Sequence, residues 1–321
     1  MLAVMFTWAP SSHAQTEKRN PINRSEETHV GAAITSPNIG GEGTLDVLAG
    51  GGSSVVWSYD ILSNTWRALE EAPRPVRSGG AISNLFSNCD YAFSGDGTSF
   101  FAAGTICRTP GQLADAPAPV GAGAAVAAAI GLVGSPVDSV FALRGAGTSD
   151  FWQYSISQNT WKALPSVPAP VGEGAALVEV ASASDFQVAA LRGGGTSDFW
   201  LFDIAGDRWL TNAAPTPAPV GSGASVAQLQ RLGRIYVLRG DGTTDFWVFE
   251  SGRWTALAGT PSPVNAGGAL VGINYGTDSQ RDELFALAGG NSSAIWKYDV
   301  ASNTWTPIAE LPRWTARGAI R

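Results

Sequence analysis

A ten-residue segment that recurs six times along the chain is the feature that most constrains its fold. Three copies nearly match one another: Leu143–Trp152, Leu191–Trp200 and Leu238–Trp247. Looser copies lie at Leu48–Trp57, Phe93–Ala102 and Leu287–Trp296, and neighbouring copies begin 45 to 50 residues apart. A period of this length, with strand-like content, predicts the blades of a β-propeller.

Each repeat unit contains four short apolar runs separated by turn residues. In unit three, Val140–Gly145 leads into a Gly/Ser/Thr turn, Phe151–Tyr154 follows, and Trp161 lies beyond a polar turn. No helical periodicity is present, so the pattern favours four strands per unit. We expect an all-β, six-bladed propeller of four-stranded antiparallel blades over residues 30–321.

The first-strand pattern occurs seven times, once more than the other three, so one end of the chain supplies a spare strand. We expect the copy at residues 31–34 to complete blade one. The copy at residues 317–321 is then surplus to the ring.

Three recurring motifs carry a resemblance to a known family. They are a Gly pair ending the second strand (Gly50–Gly51, Gly193–Gly194, Gly289–Gly290), Trp-x-Tyr-Asp on the third (Trp57–Asp60, Trp296–Asp299), and Asn-Thr-Trp before the fourth (Asn64–Trp66, Asn159–Trp161, Asn303–Trp305). In these motifs the chain resembles the kelch-repeat β-propeller family, which includes galactose oxidase. The resemblance implies the fold and leaves open an activity similar to that of kelch-type sialic-acid epimerases.

Two segments of different character precede unit one. Residues 1–14 are largely apolar and end in Ser12–His13–Ala14, which favours a secretory signal peptide. Residues 15–29 are polar and are expected to form a flexible tail. We therefore expect a secreted protein, extracellular or periplasmic.

Cys89 and Cys107 are the only cysteines, and both lie in unit two. In an exported protein a disulfide between them is the expected state. With Ser94 placed opposite Phe100 across the hairpin, both cysteines are expected on one sheet face. Two inert thiols and a catalytic thiol are the alternatives.

Composition excludes several functions. The net charge is −7 and only three residues are Lys, with no basic cluster after residue 30, so nucleic acid is not an expected partner. No apolar run is long enough for a transmembrane segment. The two histidines, His13 and His29, precede the repeats, so we expect no His-based catalysis, no metal site and no cofactor.

Three units pair an arginine with an aspartate six residues later. The pairs are Arg144 with Asp150, Arg192 with Asp198, and Arg239 with Asp245; the other units have neither residue. Both positions flank one tight turn, so they face each other on antiparallel strands. They are interpreted either as structural ion pairs or as a charged arc that binds a ligand.

Twelve tryptophans suggest a sugar-binding surface, but ten of them form five pairs at fixed repeat positions. Residues repeated in this way are expected to pack between blades. Trp314 lies outside the repeat and is the better candidate for an exposed contact.

The turns after the second and fourth strands should lie on one face of the ring, because these strands run in the same direction. Their loops are short and nearly identical, whereas enzyme pockets need dissimilar loops. We expect a non-enzymatic binding or structural scaffold with a protein or glycan partner on this face. The alternative is a sugar isomerase or mutarotase-like enzyme, with carboxylates and arginines meeting at the mouth of the channel.

Overall fold

The computed structural model describes residues 32–36, 43–69, 71–84, 89–103, 111–129, 139–181, 186–229, 233–273, 282–308, 310–312, 314–315 and 319–320. Every regular element in these ranges is a strand. The expected signal peptide at 1–14 and tail at 15–29 lie outside the described residues.

Six sheets of four strands account for nearly all of the secondary structure. The first three sheets contain β1 (Ala33–Thr35), β2 (Thr44–Leu48), β3 (Val56–Asp60), β4 (Thr65–Ala68), β5 (Ala81–Asn84), β6 (Asp90–Phe93), β7 (Phe100–Ala103), β8 (Gly111–Gln112), β9 (Ala125–Ala129), β10 (Ser139–Leu143), β11 (Phe151–Ser155) and β12 (Thr160–Ala163). The last three contain β13 (Ala176–Ala181), β14 (Phe186–Leu191), β15 (Phe199–Asp203), β16 (Arg208–Leu210), β17 (Ser225–Leu229), β18 (Arg234–Leu238), β19 (Phe246–Glu250), β20 (Arg253–Ala256), β21 (Ala269–Ile273), β22 (Glu283–Leu287), β23 (Ile295–Asp299) and β24 (Thr304–Pro307).

Each sheet is a blade made from four consecutive antiparallel strands. The innermost strands, β1, β5, β9, β13, β17 and β21, contact one another in sequence, and β21 contacts β1 again. The ring is therefore closed, and the expected six-bladed propeller is confirmed.

Ring closure uses the N-terminal copy of the first strand. β1 pairs with β2, with Ala33 opposite Leu48. The C-terminal copy instead forms a separate two-stranded sheet, in which β25 (Trp314–Thr315) pairs with β26 (Ala319–Ile320). The surplus strand is thus the C-terminal one, as expected.

The core consists of apolar layers between neighbouring blades. In four of the five pairs, the second tryptophan lies against a buried phenylalanine of the preceding blade, with ring centroids 4.8 Å apart for Phe151 and Trp209 and 5.0 Å apart for Phe246 and Trp305. Its indole also donates a hydrogen bond backwards: Trp161 Nε1 reaches the carbonyl oxygen of Ala114 at 3.0 Å. The paired tryptophans therefore pack between blades, as their repetition predicted.

The Gly pairs allow the second strand to end in a sharp turn that packs closely against the backbone just before the first strand of the same blade. Gly193 has a φ of +68°, and a Cβ there would collide with the backbone nitrogen of Ala175. Only glycine fits this position without a backbone shift.

The register expected for unit two was wrong by one residue. Phe93, not Ser94, lies opposite Phe100, and Asp90 lies opposite Ala103. The reason is a tighter hairpin, in which the amide of Ser94 donates to the carbonyl of Ser99 at 3.2 Å. Because the register differs, the two cysteines are no longer expected on one sheet face. Cys107 lies outside the described residues, so its bond to Cys89 stays a prediction.

Candidate functional site

The turns after the second and fourth strands meet on one face of the ring, as expected. The amide of Val171 donates to the carbonyl of Thr148, and that of Val220 to Thr196, each at 2.9 Å. We call this surface the turn face; its charged part consists of residues 144–150, 192–198 and 239–245 with the Pro-rich links 117–120, 168–171 and 217–220. A side-chain hydrogen bond within each turn, such as Thr196 Oγ1 to the Gly193 carbonyl at 2.8 Å, holds its shape.

Three identical ion pairs lie on the turn face. The distances from Arg Nη1 to Asp Oδ2 are 2.9 Å for Arg144–Asp150, 2.8 Å for Arg192–Asp198 and 2.7 Å for Arg239–Asp245. The structure thus pairs each arginine with the aspartate of its own hairpin, and the backbones of the two residues are also hydrogen-bonded.

Each arginine has a second anchor on the Pro-rich link that precedes its blade. The Nε atoms of Arg144, Arg192 and Arg239 donate to the carbonyls of Pro119, Pro170 and Pro219 at 2.9 to 3.0 Å. The links were expected on this face, but the sequence contains no signal for a side-chain bond to a proline carbonyl. Two fixed anchors hold the guanidinium plane in the same orientation in three adjacent blades.

Part of each pair remains available to a ligand. The arginine side chains are 25 to 29% exposed and the aspartates 43 to 45%. Within the described ranges, neither Arg Nη2 nor Asp Oδ1 of these pairs has a hydrogen-bond partner. Each pair therefore presents hydrogen-bond donors beside an acceptor.

The mouth of the central channel on the turn face is narrow and lined by small residues. Gly79, Gly123, Gly174 and Gly223 surround it. Glu173 is its one carboxylate among the described lining residues and accepts a hydrogen bond from Ser222 Oγ at 2.7 Å. This arrangement does not form a deep polar pocket on the turn face.

The other end of the channel holds a cavity of about 160 Å³ between the innermost strands. Ser36, Asn84, Glu179 and Gln228 line it at one level, because each lies three residues after the start of its first strand in register. Glu179 and Gln228 are buried. We missed this polar level; aligning the seven first-strand copies position by position would have revealed it.

Two buried aspartates near this cavity were also missed. Burial raises the pKa of Asp46, opposed by the nearby Ser58 hydroxyl, the Asp90 carboxyl and the charge of Arg67. Burial, together with the charge of Asp46, raises the pKa of Asp90 well above its usual range. Within the described part of the chain, no group of three or more His, Cys, Asp and Glu side chains could hold a metal ion.

Two other expected site residues lie partly or wholly outside the described residues. Trp314 lies in β25 opposite Ile320, but its side chain lies outside the described residues, as does the whole of Cys107. Among the described residues, no helix has the length and apolar character needed to cross a membrane.

Comparison with known proteins gives the fold and no family. No family model matches the chain, and no curated protein matches it, so the kelch resemblance stays an expectation. Among solved structures, the SapL1 lectin in complex with alpha methyl fucoside is similar, with a TM-score of 0.62, 14% identity, and coverage of 89% of this chain and 97% of the lectin. YjhT is similar with a TM-score of 0.51, 15% identity, and coverage of 77% and 88%. At these identities the likeness extends to the propeller fold alone.

Proposed function

We propose that this chain is a secreted, multivalent glycan-binding propeller that uses the charged part of the turn face. The observation that carries the proposal is the set of three Arg/Asp pairs in one orientation, in each of which a guanidinium nitrogen and a carboxylate oxygen have no hydrogen-bond partner among the described residues. Sugar hydroxyls both donate and accept hydrogen bonds, so neighbouring hydroxyls on one ring match a donor beside an acceptor.

Each single site is expected to be weak. Leu62 is the one large apolar side chain that is exposed among the described residues, so the sites lack an exposed aromatic ring for stacking. We expect a Kd on the order of 1 mM per site, or about −4 kcal/mol. Binding of a branched or repeating glycan to three sites at once raises the overall affinity by roughly 10²–10⁴-fold.

The similarity to a lectin solved with a fucoside supports a glycan rather than a protein as the partner. It supports only the class of ligand, and the Arg/Asp pairs come from this chain alone. Secretion is part of the proposal; it rests on the apolar start of the chain and the small residues Ser12 and Ala14 before Gln15. N-terminal sequencing of the exported protein should find Gln15 first.

The experiment combines a glycan array with calorimetry on the best glycan. Arg192→Ala should reduce the apparent affinity, and the triple variant Arg144→Ala/Arg192→Ala/Arg239→Ala should abolish binding. Partly exposed ion pairs contribute no more than about 1 kcal/mol each, so the single variant should remain folded. Arg253→Ala is the matched control, because Arg253 is exposed on the outer strand β20. Full binding by the triple variant would exclude the turn face.

An enzymatic role at the other end of the channel is the second candidate. The buried Glu179 beside Gln228 in a polar cavity is the observation that favours it. A sugar isomerase or mutarotase-like reaction there would be lost in Glu179→Gln and unaffected by Arg192→Ala. NMR exchange between sugar anomers, measured with both variants, separates the two functions.

A further inference from the structure

Two carboxylates stand at positions that are apolar in other blades, and both lie between blades one and two. Asp46 lies two residues before the end of β2, where Phe141 and Tyr236 stand in their own blades. Asp90 lies three residues before the end of β6, where Val140 stands in blade three. Asp46 is 4% exposed and Asp90 is fully buried.

The two carboxylates share one buried polar pocket with neutral oxygen atoms. Ser58 lies directly opposite Asp46 on β3 and is 1% exposed. Asn84 lies opposite Asp90, and its Nδ2 donates to Asp90 Oδ1 at 2.7 Å. We call these four side chains the oxygen pocket.

Four oxygen atoms of the oxygen pocket have no hydrogen-bond partner in the part of the chain that the structure describes. They are Asp46 Oδ1, Asp90 Oδ2, Asn84 Oδ1 and Ser58 Oγ. A buried polar atom without a partner costs about 1–3 kcal/mol, and more when it is charged. Arg67, which lies opposite Ser58 on β4, is exposed and forms no salt bridge with either aspartate.

We propose that the oxygen pocket binds one calcium ion between blades one and two. The ligands are the carboxylates of Asp46 and Asp90 with the carbonyl oxygen of Asn84 and the hydroxyl oxygen of Ser58, and water completes the coordination. Calcium takes six to eight oxygen ligands and accepts carboxylate and amide oxygens. Its charge balances two carboxylates, which leaves no net charge in the buried interface.

A cation satisfies this pocket better than a shared proton does. A proton between the two carboxyls would give one hydrogen bond, and the oxygens of Asn84 and Ser58 would remain without partners. Magnesium is less suitable, because it retains its water and demands octahedral geometry. With two carboxylates rather than three or more, we expect modest affinity, with a Kd of about 0.1–1 mM.

The central channel provides the path of entry. Asn84 lines the polar cavity, and so does Thr35, which lies opposite Asp46 on β1. The oxygen pocket is therefore next to the channel and away from the turn face.

Calorimetric titration of chelator-treated protein with calcium chloride tests the proposal. We expect one site per chain, a higher thermal unfolding midpoint with calcium, and a weaker response to magnesium. Asp90→Asn should reduce the affinity at least tenfold. Asp90→Val, which installs the residue of blade three, should abolish binding and remain folded.

Asp207→Asn is the matched control, because Asp207 lies in an exposed turn with positive φ that asparagine also adopts. If the wild type shows no heat of calcium binding and no calcium-dependent change in its thermal unfolding midpoint, the proposal is overturned. Calcium binding unchanged in Asp90→Asn would place the ion elsewhere and also overturn it. A midpoint raised by Asp90→Asn without any calcium response would show that the pair shares a proton instead.

Discussion

Two buried tyrosines show how single residues of the repeat acquire altered chemistry. Tyr154 and Tyr298 each donate to the side-chain oxygen of an asparagine in the next turn, at 2.7 Å. Burial, with a smaller effect of a neighbouring tyrosine, raises the pKa of each to about 12. An unfolded tyrosine has a pKa of about 10, so the folded state holds these protons more tightly.

This shift predicts the direction of a pH effect on stability. The stabilisation is complete below about pH 10 and is lost as the pH rises from there through about 12, because only the unfolded state ionises early. Titration of phenolate absorbance should show late phenols, two of which disappear in Tyr154→Phe/Tyr298→Phe. Early ionisation of every tyrosine in the folded protein would contradict this.

Gly193 gives a second prediction for a single residue. Gly193→Ala combines a positive φ with a collision against the backbone of Ala175. Gly195→Ala has a φ of +73° but nothing within 4 Å of the new Cβ. The strained φ alone costs about 1–3 kcal/mol, so Gly195→Ala should lower the free energy of unfolding by this amount. Gly193→Ala should lower it clearly more. Urea unfolding of both variants measures the difference, and equal losses would show that the close approach is unimportant.

At the scale of elements, unit two differs most from the others. Its outer strand β8 has two residues, and it lacks both tryptophans of the pair. Cys89 is buried directly before β6, and no free cysteine is found among the described residues. We propose that a bond to Cys107 compensates for the weak outer strand.

Reduction should therefore destabilise the protein by about 2–4 kcal/mol, the range for a roughly 18-residue loop. Peptide mapping without reductant should recover the two cysteines in one linked pair. Cys89→Ala/Cys107→Ala should unfold at the same temperature with and without reductant. Free thiols in the exported native protein would refute the pairing.

The sequence predicts elements well where six copies agree. The strand order, the Gly turns and the inter-blade tryptophans each appear in several copies, so the prediction does not depend on a chance match in any one copy. Single-copy departures are different. Asp46 and Asp90 each occur in one blade, and they come together only because adjacent blades face each other. The register of unit two also depends on one hairpin, and its turn is a residue tighter than its neighbours suggested.

At the scale of the whole molecule, near-identical blades form a ring whose parts differ in charge. Blades three to five carry the Arg/Asp pairs on the turn face, whereas the buried aspartates lie between blades one and two. The face with the Arg/Asp pairs could be predicted, because the chain direction of alternate strands determines it. The polar level inside the channel was missed, because its four polar residues come from separate blades and become visible only when the first-strand copies are aligned position by position.

Ring closure gives the last prediction. β1 completes blade one, and Ile34 packs with Phe285 and Leu287 of blade six. Truncation after Pro312 removes β25 and β26, which form their own two-stranded sheet, so it should change stability by less than about 1 kcal/mol. Ile34→Ala should cost about 2–5 kcal/mol, because it leaves a cavity where the ring closes. Chemical unfolding of the two proteins measures both effects. A large loss on truncation with little effect of Ile34→Ala would show that the C-terminal strand closes the ring.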